Sequence, residues 1–478
     1  MKILLIEDED RSIRQTTSAI KFACSHAQIT LAQFREQAIS KIQNDVFDLI
    51  ICDLRIPPTE NSADISESHG FAVHGVAREI CPGTPLVFLT AFATTKNTKD
   101  KLASGGTDSI FGIEEYPLVQ LVEKDDVEEL EELILTLSRA LSELDDYCNL
   151  DAGGVEDIIF QRAVRTYAKK IKHNRAIVQK ATGLSGATIG RVKFVSEDLS
   201  EANIFIKVLD RAEASEEYSR FNEFVPNHLQ PGFFAPSIPP MMSGLRKKAA
   251  LISTLASADS KSFFYKLNED PNSAVEILRT LREAMTKWIG GDTKSLISLR
   301  ELRQDLVSDE RLNELDFALD RRAQEREERM VVIRKTIVHG DLHGENILID
   351  KFQRPILIDF GDVGNGLAPV DPVTLELSII FHDQGSARES DWADRANWSN
   401  WANLDAYCES NPYADFIREC RGWALDVDSV EATLAFTYAH AMRQLKYSDV
   451  PDELALAVAD SALTQLESLQ DSGDRPNI

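Results

Sequence analysis

His339-Gly340-Asp341, Asn346 and Asp359-Phe360-Gly361 place a carboxylate, an amide and a second carboxylate in one stretch, Ile337 to Asp362. Asn346 follows Asp341 by five residues and leads straight into an apolar run, Ile347-Leu348-Ile349. A polar segment, Asp350 to Pro355, then gives way to Ile356-Leu357-Ile358, which ends at Asp359. Two apolar runs around a short polar segment predict a β-hairpin. Asn346 and Asp359 lie equally far from its turn centre, so its open end is expected to gather both side chains beside Asp341. Phosphoryl transfer from a nucleotide needs this set, because the protein clamps Mg²⁺ on the phosphates and orients an acceptor hydroxyl. On that chemistry Asp341 accepts or orients the acceptor proton, while Asn346 and Asp359 hold Mg²⁺.

The order D-x-x-x-x-N followed by D-F-G matches the protein-kinase signature. His339-Gly340-Asp341 together with His343 resembles the aminoglycoside phosphotransferase and choline kinase branch of that superfamily, where a His stands in place of the protein-kinase Lys. The resemblance implies ATP and Mg²⁺ as cofactors and makes His343 a partner of the catalytic Asp341. Upstream, Gly183 to Gly190 is a glycine-rich turn before the strand Arg191–Val195. Backbone N–H groups in such a turn, at Ser185 and Gly186, can approach phosphates. Its G-x-x-G-x-x-x-G spacing departs from G-x-G-x-x-G and by itself fits a plain hairpin turn equally well. The strand Asn203–Val208 then carries Lys207, which resembles the nucleotide-phosphate Lys of kinase small lobes. Glu217 in the helical stretch Glu213 to Val225 is its expected partner, with Glu216 and Glu223 as rivals.

The first third of the chain holds a second group of acids. Short apolar runs at Lys2–Ile6, Asp48–Asp53, Pro85–Thr90 and Leu118–Lys124, with a weaker one at Gln28–Ala32, alternate with helical stretches and predict a parallel α/β sheet. Functional groups of such sheets collect at the carboxyl ends of the strands. Glu7, Asp8, Asp53, Thr90 and Lys124 are then expected at one edge, where clustered acids call for a divalent cation. The region resembles a response-regulator receiver domain. The resemblance implies Asp53 as phospho-acceptor, Glu7 and Asp8 as Mg²⁺ ligands with it, and Thr90 and Lys124 as contacts of the phosphoryl group. It departs from the family in the extra stretch Pro58–His69, in the long Thr90–Lys124 segment, in Leu121 at the usual Tyr or Phe position and in Asp125 at the usual Pro.

The expected architecture is a flavodoxin-like receiver with a parallel five-stranded sheet, followed by a two-lobed α+β kinase-like domain. Residues 1–147 are read as the receiver, with a final helix from Asp125 to Tyr147. Residues 148–180 are read as a linker and connecting helix, helical from about Val155 to Lys180. Residues 181–255 form the small lobe and 256–478 the large lobe. Basic residues of the connecting helix, Arg162, Arg165 and Lys169 among them, either dock on the acidic receiver or face solvent. The pattern from Val275 to Ile333 is helical. Asp371 before Pro372 is expected to cap a helix, with a role in steadying the catalytic loop as the alternative. Trp392, Trp398, Trp401, Tyr407 and Trp423 are core residues or an aromatic acceptor box, core being the commoner use.

A chain of 478 residues with 43% hydrophobic and 27% charged residues fits a multidomain globular protein. It has no apolar run long enough to span a bilayer and no signal peptide, which predicts a cytoplasmic location without membrane association. The formal charge of −26 disfavours nucleic acid as a partner. Six cysteines without C-x-x-C spacing predict reduced thiols. The expected function is an ATP- and Mg²⁺-dependent phosphotransferase acting on a hydroxyl of a small molecule or protein. The alternatives are a nucleotide-binding pseudokinase acting as an interaction scaffold, and a nucleotidyl transferase. A histidine kinase or small phosphodonor would serve Asp53, whose phosphorylation would change a surface that docks on the kinase-like part or forms a homodimer.

Overall fold

The computed structural model describes residues 1–90, 106–181, 186–255, 260–288, 290, 293–315, 321–388, 390–393 and 396–471. The chain forms two compact units: Met1–Tyr218 with Pro236–Ala258, and Ser219–Ala235 with Asp259–Ile478.

The first unit begins with β1 (Lys2–Ile6), α1 (Asp10–Ala23), β2 (Gln28–Ala32), α2 (Arg35–Asn44), β3 (Leu49–Asp53), α3 (Glu67–Ile80) and β4 (Leu86–Thr90). A hairpin of β5 (Thr107–Ile110) and β6 (Ile113–Pro117) precedes β7 (Val119–Glu123) and α4 (Val127–Tyr147). The sheet order is β2-β1-β3-β4-β7, all parallel. This is the flavodoxin-like order of receiver domains, as the resemblance implied. The central strands are apolar throughout because both faces are covered. Ile3, Leu5, Leu49 and Ile51 pack with α1 and α4, whereas Leu4, Ile6, Ile50 and Cys52 pack with α2 and α3. The extra length between Thr90 and Lys124 contains the β5–β6 hairpin.

The same unit continues with β8 (Asn149–Asp151), α5 (Ile158–Lys170), β9 (Arg175–Ala181), β10 (Thr188–Val195), β11 (Glu201–Asp210), the first part of the helix α6 (Arg211–His228), which belongs to the second unit from Ser219 on, β12 (Ser237–Met241) and β13 (Lys248–Leu255). The six strands pair in the order β12-β13-β11-β10-β9-β8. This corrects the reading of residues 148–180 as linker and connecting helix. The helix stops at Lys170, Lys172 turns the backbone with φ 59°, and Arg175–Ala181 is a strand that buries Ala176 and Val178. Two segments of the expected linker are thus strands of the six-stranded sheet, with α5 packed on it through Phe160, Val164 and Tyr167.

The basic residues of α5 meet acids of the receiver. Arg165 lies 3.4 Å from Asp145 and Lys169 lies 3.6 Å from Glu143. Arg162 is buried and donates through Nη1 to Asp48 Oδ1 at 2.8 Å. Asp48 also accepts from Arg246 Nε (2.8 Å), Arg246 Nη2 (3.1 Å) and the Lys2 N–H (2.7 Å). Burial alone would push the Asp48 carboxyl up, but the Arg246 hydrogen bond and the charges of Arg162 and Arg246 hold it well below the usual range.

In the second unit β14 (Lys261–Ser262) pairs with β17 (Ile347–Ile349), which forms a hairpin with β18 (Pro355–Leu357). β15 (Lys294–Ser298), β16 (Met330–Val338) and β19 (Gly364–Leu367) form a second small sheet. Lys294–Ser298 and Met330–Ile333 therefore depart from the helical pattern expected up to Ile333, because Val331 and Ile333 alternate inward from β16. Helices supply most of the remaining core, with Val370–Phe381 and Val430–Gln444 almost wholly buried. Trp392, Trp401, Tyr407 and Trp423 are core residues; Trp401 donates to Glu376 and stacks under Arg421, whose guanidinium lies 3.7 Å from the ring centroid. All six cysteines are buried free thiols. Among the described residues no helix is long and apolar enough to cross a membrane.

Removing one partner of a buried ion pair leaves uncompensated charge and costs about 3–5 kcal/mol. Asp48→Ala should destabilise the first unit by that order in urea unfolding at neutral pH. The cost should shrink as pH falls below about 4, because a depressed carboxylate loses its contribution on protonation.

Candidate active site

The loop of residues 339–346, which carries Asp341, is stitched to the β17–β18 hairpin and to the buried helix Val370–Phe381. The hairpin turn is fixed by Asp350, whose Oδ1 accepts from the N–H groups of Phe352 (2.8 Å) and Arg354 (2.9 Å), with Gln353 at φ 61°. That turn pairs Ile349 with Pro355 and Ile347 with Leu357. Continuing the register, the Ile358 N–H donates to Asn346 O at 3.1 Å. Asn346 therefore faces Ile358 rather than standing level with Asp359, a one-residue offset from the symmetrical placement expected. Asp359 lies one step beyond, half-buried, in a left-handed turn with φ 59°.

The Asn346 side chain donates through Nδ2 to Asp341 O at 2.9 Å, which closes the loop on itself. His339 is fully buried and donates through Nε2 to Ile358 O at 3.0 Å, with its ring 5.2 Å from that of Phe360. The backbone N–H groups of His339 and Gly340 both donate to Asp371, at 2.9 and 3.1 Å. Asp371 thus holds the backbone just before Asp341, and the capping role expected first is corrected: the helix start has no side-chain cap. Burial pushes the Asp371 carboxyl up, against the charge of His339 and the two N–H donors. Gly340 has φ 86°, and a Cβ there would lie 2.5 Å from Asp362 O, so the close approach of the two segments requires glycine.

Asp341 presents its carboxylate beside His343, whose Nε2 lies 3.6 Å from Asp341 Oδ2. Burial favours the neutral acid, but the neighbouring His343 imidazole, then the charges of His339 and Arg443, hold Asp341 well below the usual carboxylate range. Behind His343 stands His382, a residue with no local sequence signal, its ring 4.4 Å away and tilted by 36°. Burial, and then the charge of His343, push the His382 imidazole down to about 4. Phe264 backs His382 at 5.3 Å and fills the space next to Gly344, where a Cβ would lie 2.3 Å from its ring. A second contact missed in the sequence is Arg220, which donates to Gly361 O behind Asp359 and Phe360.

In the first unit, Lys207 on β11 is buried and its Nζ lies 2.9 Å from Glu217 Oε2 on α6, the partner chosen over Glu216 and Glu223. Gly186 is exposed with φ 67°, whereas Ser185 lies outside the described residues. At the carboxyl edge of the receiver sheet, Glu7, Asp8 and Asp53 each offer a carboxylate oxygen within 4.8 Å of the others. Lys124 Nζ lies 2.7 Å from Glu7 and 2.8 Å from Asp53, and the Lys124 N–H donates to Thr90 O at 2.7 Å. Burial and then Glu7 push Asp53 up to about 6, with Lys124 opposing. Asp8 is raised by burial and by Glu7. Such crowding fits a divalent cation, which would relieve the repulsion.

Two outcomes follow for these sites. Asp371→Asn should lower stability by about 1–3 kcal/mol in urea unfolding, because a buried N–H of the loop loses its acceptor. Mg²⁺ at about 100 times its dissociation constant should stabilise the receiver by about 2.7 kcal/mol. The thermal shift should disappear with EDTA and in Asp53→Asn; an equal shift in the variant would place the ion elsewhere.

Residues 266–407 match the phosphotransferase enzyme family known as APH. A sequence search finds no significant match among curated proteins. Among solved structures, a CheY-like response regulator receiver domain from Methanospirillum hungatei JF-1 is 19% identical, over 30% of this chain and 97% of its own, with a TM-score of 0.22. An aminoglycoside-3'-phosphotransferase of type VIII is 17% identical, over 60% of this chain and 98% of its own, with a TM-score of 0.36. A thermostable mutant of an aminoglycoside phosphotransferase, crystallised with ADP and hygromycin B, is 11% identical over 63% of this chain and 95% of its own, with a TM-score of 0.32. The stretch that contains Asp341, His343, Asn346 and Asp359 thus lies within a phosphotransferase-family domain, which follows an N-terminal receiver fold in the same chain.

Proposed function

We propose that the chain is a receiver-regulated phosphotransferase that moves the γ-phosphoryl group of ATP to a hydroxyl acceptor in the cytoplasm. The observation that carries this reading is the loop Asp341–Asn346, held by Asp371 and by the hairpin that ends at Asp359, inside the region matching the phosphotransferase family.

Asn346 and Asp359 are the residues that would hold Mg²⁺ on the nucleotide phosphates. Mg²⁺ there would neutralise charge that develops as the phosphoryl group moves. Lys207, positioned by Glu217, would contact nucleotide phosphates, and the glycine-rich turn that includes Gly186 would offer them backbone N–H groups. Asp341 accepts a hydrogen bond from the acceptor hydroxyl and orients its oxygen towards the γ-phosphorus. A new O–P bond forms as the bond from the γ-phosphorus to the bridging oxygen breaks; ADP leaves and the hydroxyl proton passes to Asp341. A carboxylate held this low in pKa is a weak base, which suits the orienting role and late proton uptake of a loose transition state. His343 keeps Asp341 charged, and His382 supports the His343 ring.

At the other end, Asp53 would take a phosphoryl group from a histidine kinase or a small phosphodonor. A carboxylate oxygen forms the new bond to phosphorus as the donor's own P–O or P–N bond breaks. Glu7 and Asp8 would hold Mg²⁺ with Asp53, while Thr90 and Lys124 would contact the phosphoryl oxygens.

Hydroxyl compounds and candidate protein acceptors, screened with γ-labelled ATP, should yield a labelled phosphoester and ADP. Asp341→Asn should lower kcat by about 10²–10⁴-fold with the nucleotide dissociation constant little changed. A product carrying the nucleotidyl group would indicate nucleotidyl transfer instead, and nucleotide binding without turnover would indicate a scaffold. Acetyl phosphate should alter the activity of the wild type and leave Asp53→Ala unchanged; identical responses would contradict control by Asp53.

A further inference from the structure

We propose that helix α5 is the element that links the receiver to nucleotide binding, so that phosphorylation of Asp53 changes nucleotide affinity through Asp48–Arg162 at one point of the helix and Asp157–Thr188 at its start. The proposal rests on the phosphotransferase reading and adds a physical route for its regulation.

The route begins on β3. Asp53 ends that strand and Asp48 immediately precedes it, so both ride on one buried segment at the centre of the receiver sheet. The Asp48 side chain has no exposure and is saturated by Arg162, Arg246 and the Lys2 N–H. Arg162 is equally constrained. Its Nη1 also donates to Gly244 O at 3.0 Å, and its guanidinium lies 5.0 Å from the centroid of Phe111 in the β5–β6 hairpin. Around this ion pair, Lys247 Nζ donates to Gln43 O at 2.7 Å, Ser243 donates to Asp108, and the Gly244 N–H donates to Gly83 O at 3.1 Å. The receiver and the six-stranded sheet are therefore joined by directional bonds, those of Arg162 buried, and belong to one compact unit.

At the start of α5, Asp157 caps the helix with Oδ1, accepting from the Ile159 N–H (2.8 Å) and the Phe160 N–H (3.3 Å). Its other oxygen accepts from Thr188 Oγ1 at 2.7 Å. Thr188 is the first residue of β10, two residues after Gly186, and the next residue, Ile189, pairs with Lys207 on β11. One turn into α5, the Phe160 ring occupies the space a side chain at Gly190 would need; a Cβ there would lie 2.7 Å from Phe160 Cζ. The helix is thus clamped to the strand pair that presents Lys207 and, five residues after its cap, to the receiver. A packed core of this kind shifts between discrete arrangements instead of yielding continuously. A dianion added at Asp53 draws on Lys124, which now bridges Glu7 and Asp53, and so shifts the end of β3.

The test is calorimetric titration of the full chain with Mg²⁺ and a non-hydrolysable ATP analogue, before and after treatment with acetyl phosphate. In that treatment an Asp53 oxygen bonds to phosphorus, the P–O bond to acetate breaks and acetate leaves; intact mass reports the uptake. The wild type should change its nucleotide dissociation constant about fivefold or more, the usual lower range of allosteric coupling. Thr188→Val, which keeps the shape and removes the donor to Asp157, and Arg162→Met should still take up the phosphoryl group. Their response should fall below about twofold. A wild type that takes up no phosphoryl group, a dissociation constant unmoved by phosphorylation, or a full response in Thr188→Val would each overturn the proposal. Absence of nucleotide binding in every state would overturn the phosphotransferase reading, and this proposal with it.

Discussion

The loop that presents Asp341 depends on one buried carboxylate. Asp371 accepts the N–H groups of His339 and Gly340, and so fixes the backbone just before Asp341. From there the constraint spreads in two directions. His339 reaches the hairpin through Ile358 O, and Asn346 closes the loop through Asp341 O, so the loop and the strand that ends at Asp359 cannot move separately. The glycine at position 340 is part of the same constraint, since no side chain fits between it and Asp362. An acid aimed at backbone amides stabilises a loop without restricting the side chains that the loop presents. That leaves Asp341 and His343 partly exposed for chemistry, on a backbone that is buried.

The two acidic centres differ in how they handle charge. At Asp341 the neighbouring histidine favours the ionised form. At Asp53 burial and Glu7 oppose it, and Lys124 compensates only in part. The first is an acid kept charged for hydrogen bonding. The second is a crowded group whose charge a divalent cation would relieve, which suits a nucleophile used with bound metal. Lys207 with Glu217 is a third arrangement, a buried lysine ion-paired with a carboxylate of the following helix.

Much of this was legible in the sequence because it follows from local patterns. The receiver strands are apolar runs that end in acids, and the hairpin is two apolar runs around a turn, so both could be drawn with their functional residues attached. The parts that were not legible depend on tertiary neighbours. Arg175–Ala181 mixes charged and small residues that a helix would also accept, and its pairing with β10 on one side and β8 on the other makes it a strand. Asp371 before a proline looks like a cap, and only the approach of the loop reveals what its oxygens accept. The offset between Asn346 and Asp359 comes from the Asp350 turn, whose internal bonds set the register. His382 carries no spacing signal at all, since it reaches His343 from a different helix end. The choice of Arg162 over the other basic residues of α5 as the buried contact likewise needed the position of Asp48.

The most direct measurement of the central claim is titration of the full chain with Mn²⁺ as a paramagnetic substitute for Mg²⁺, read by electron paramagnetic resonance with and without ATP. Two classes of bound ion are expected. One appears without nucleotide and is lost in Asp53→Asn; the other appears only with ATP and is lost in Asp359→Asn. Ion binding that ATP does not alter, or a nucleotide-dependent signal that survives in Asp359→Asn, would contradict the assignment of the hairpin site.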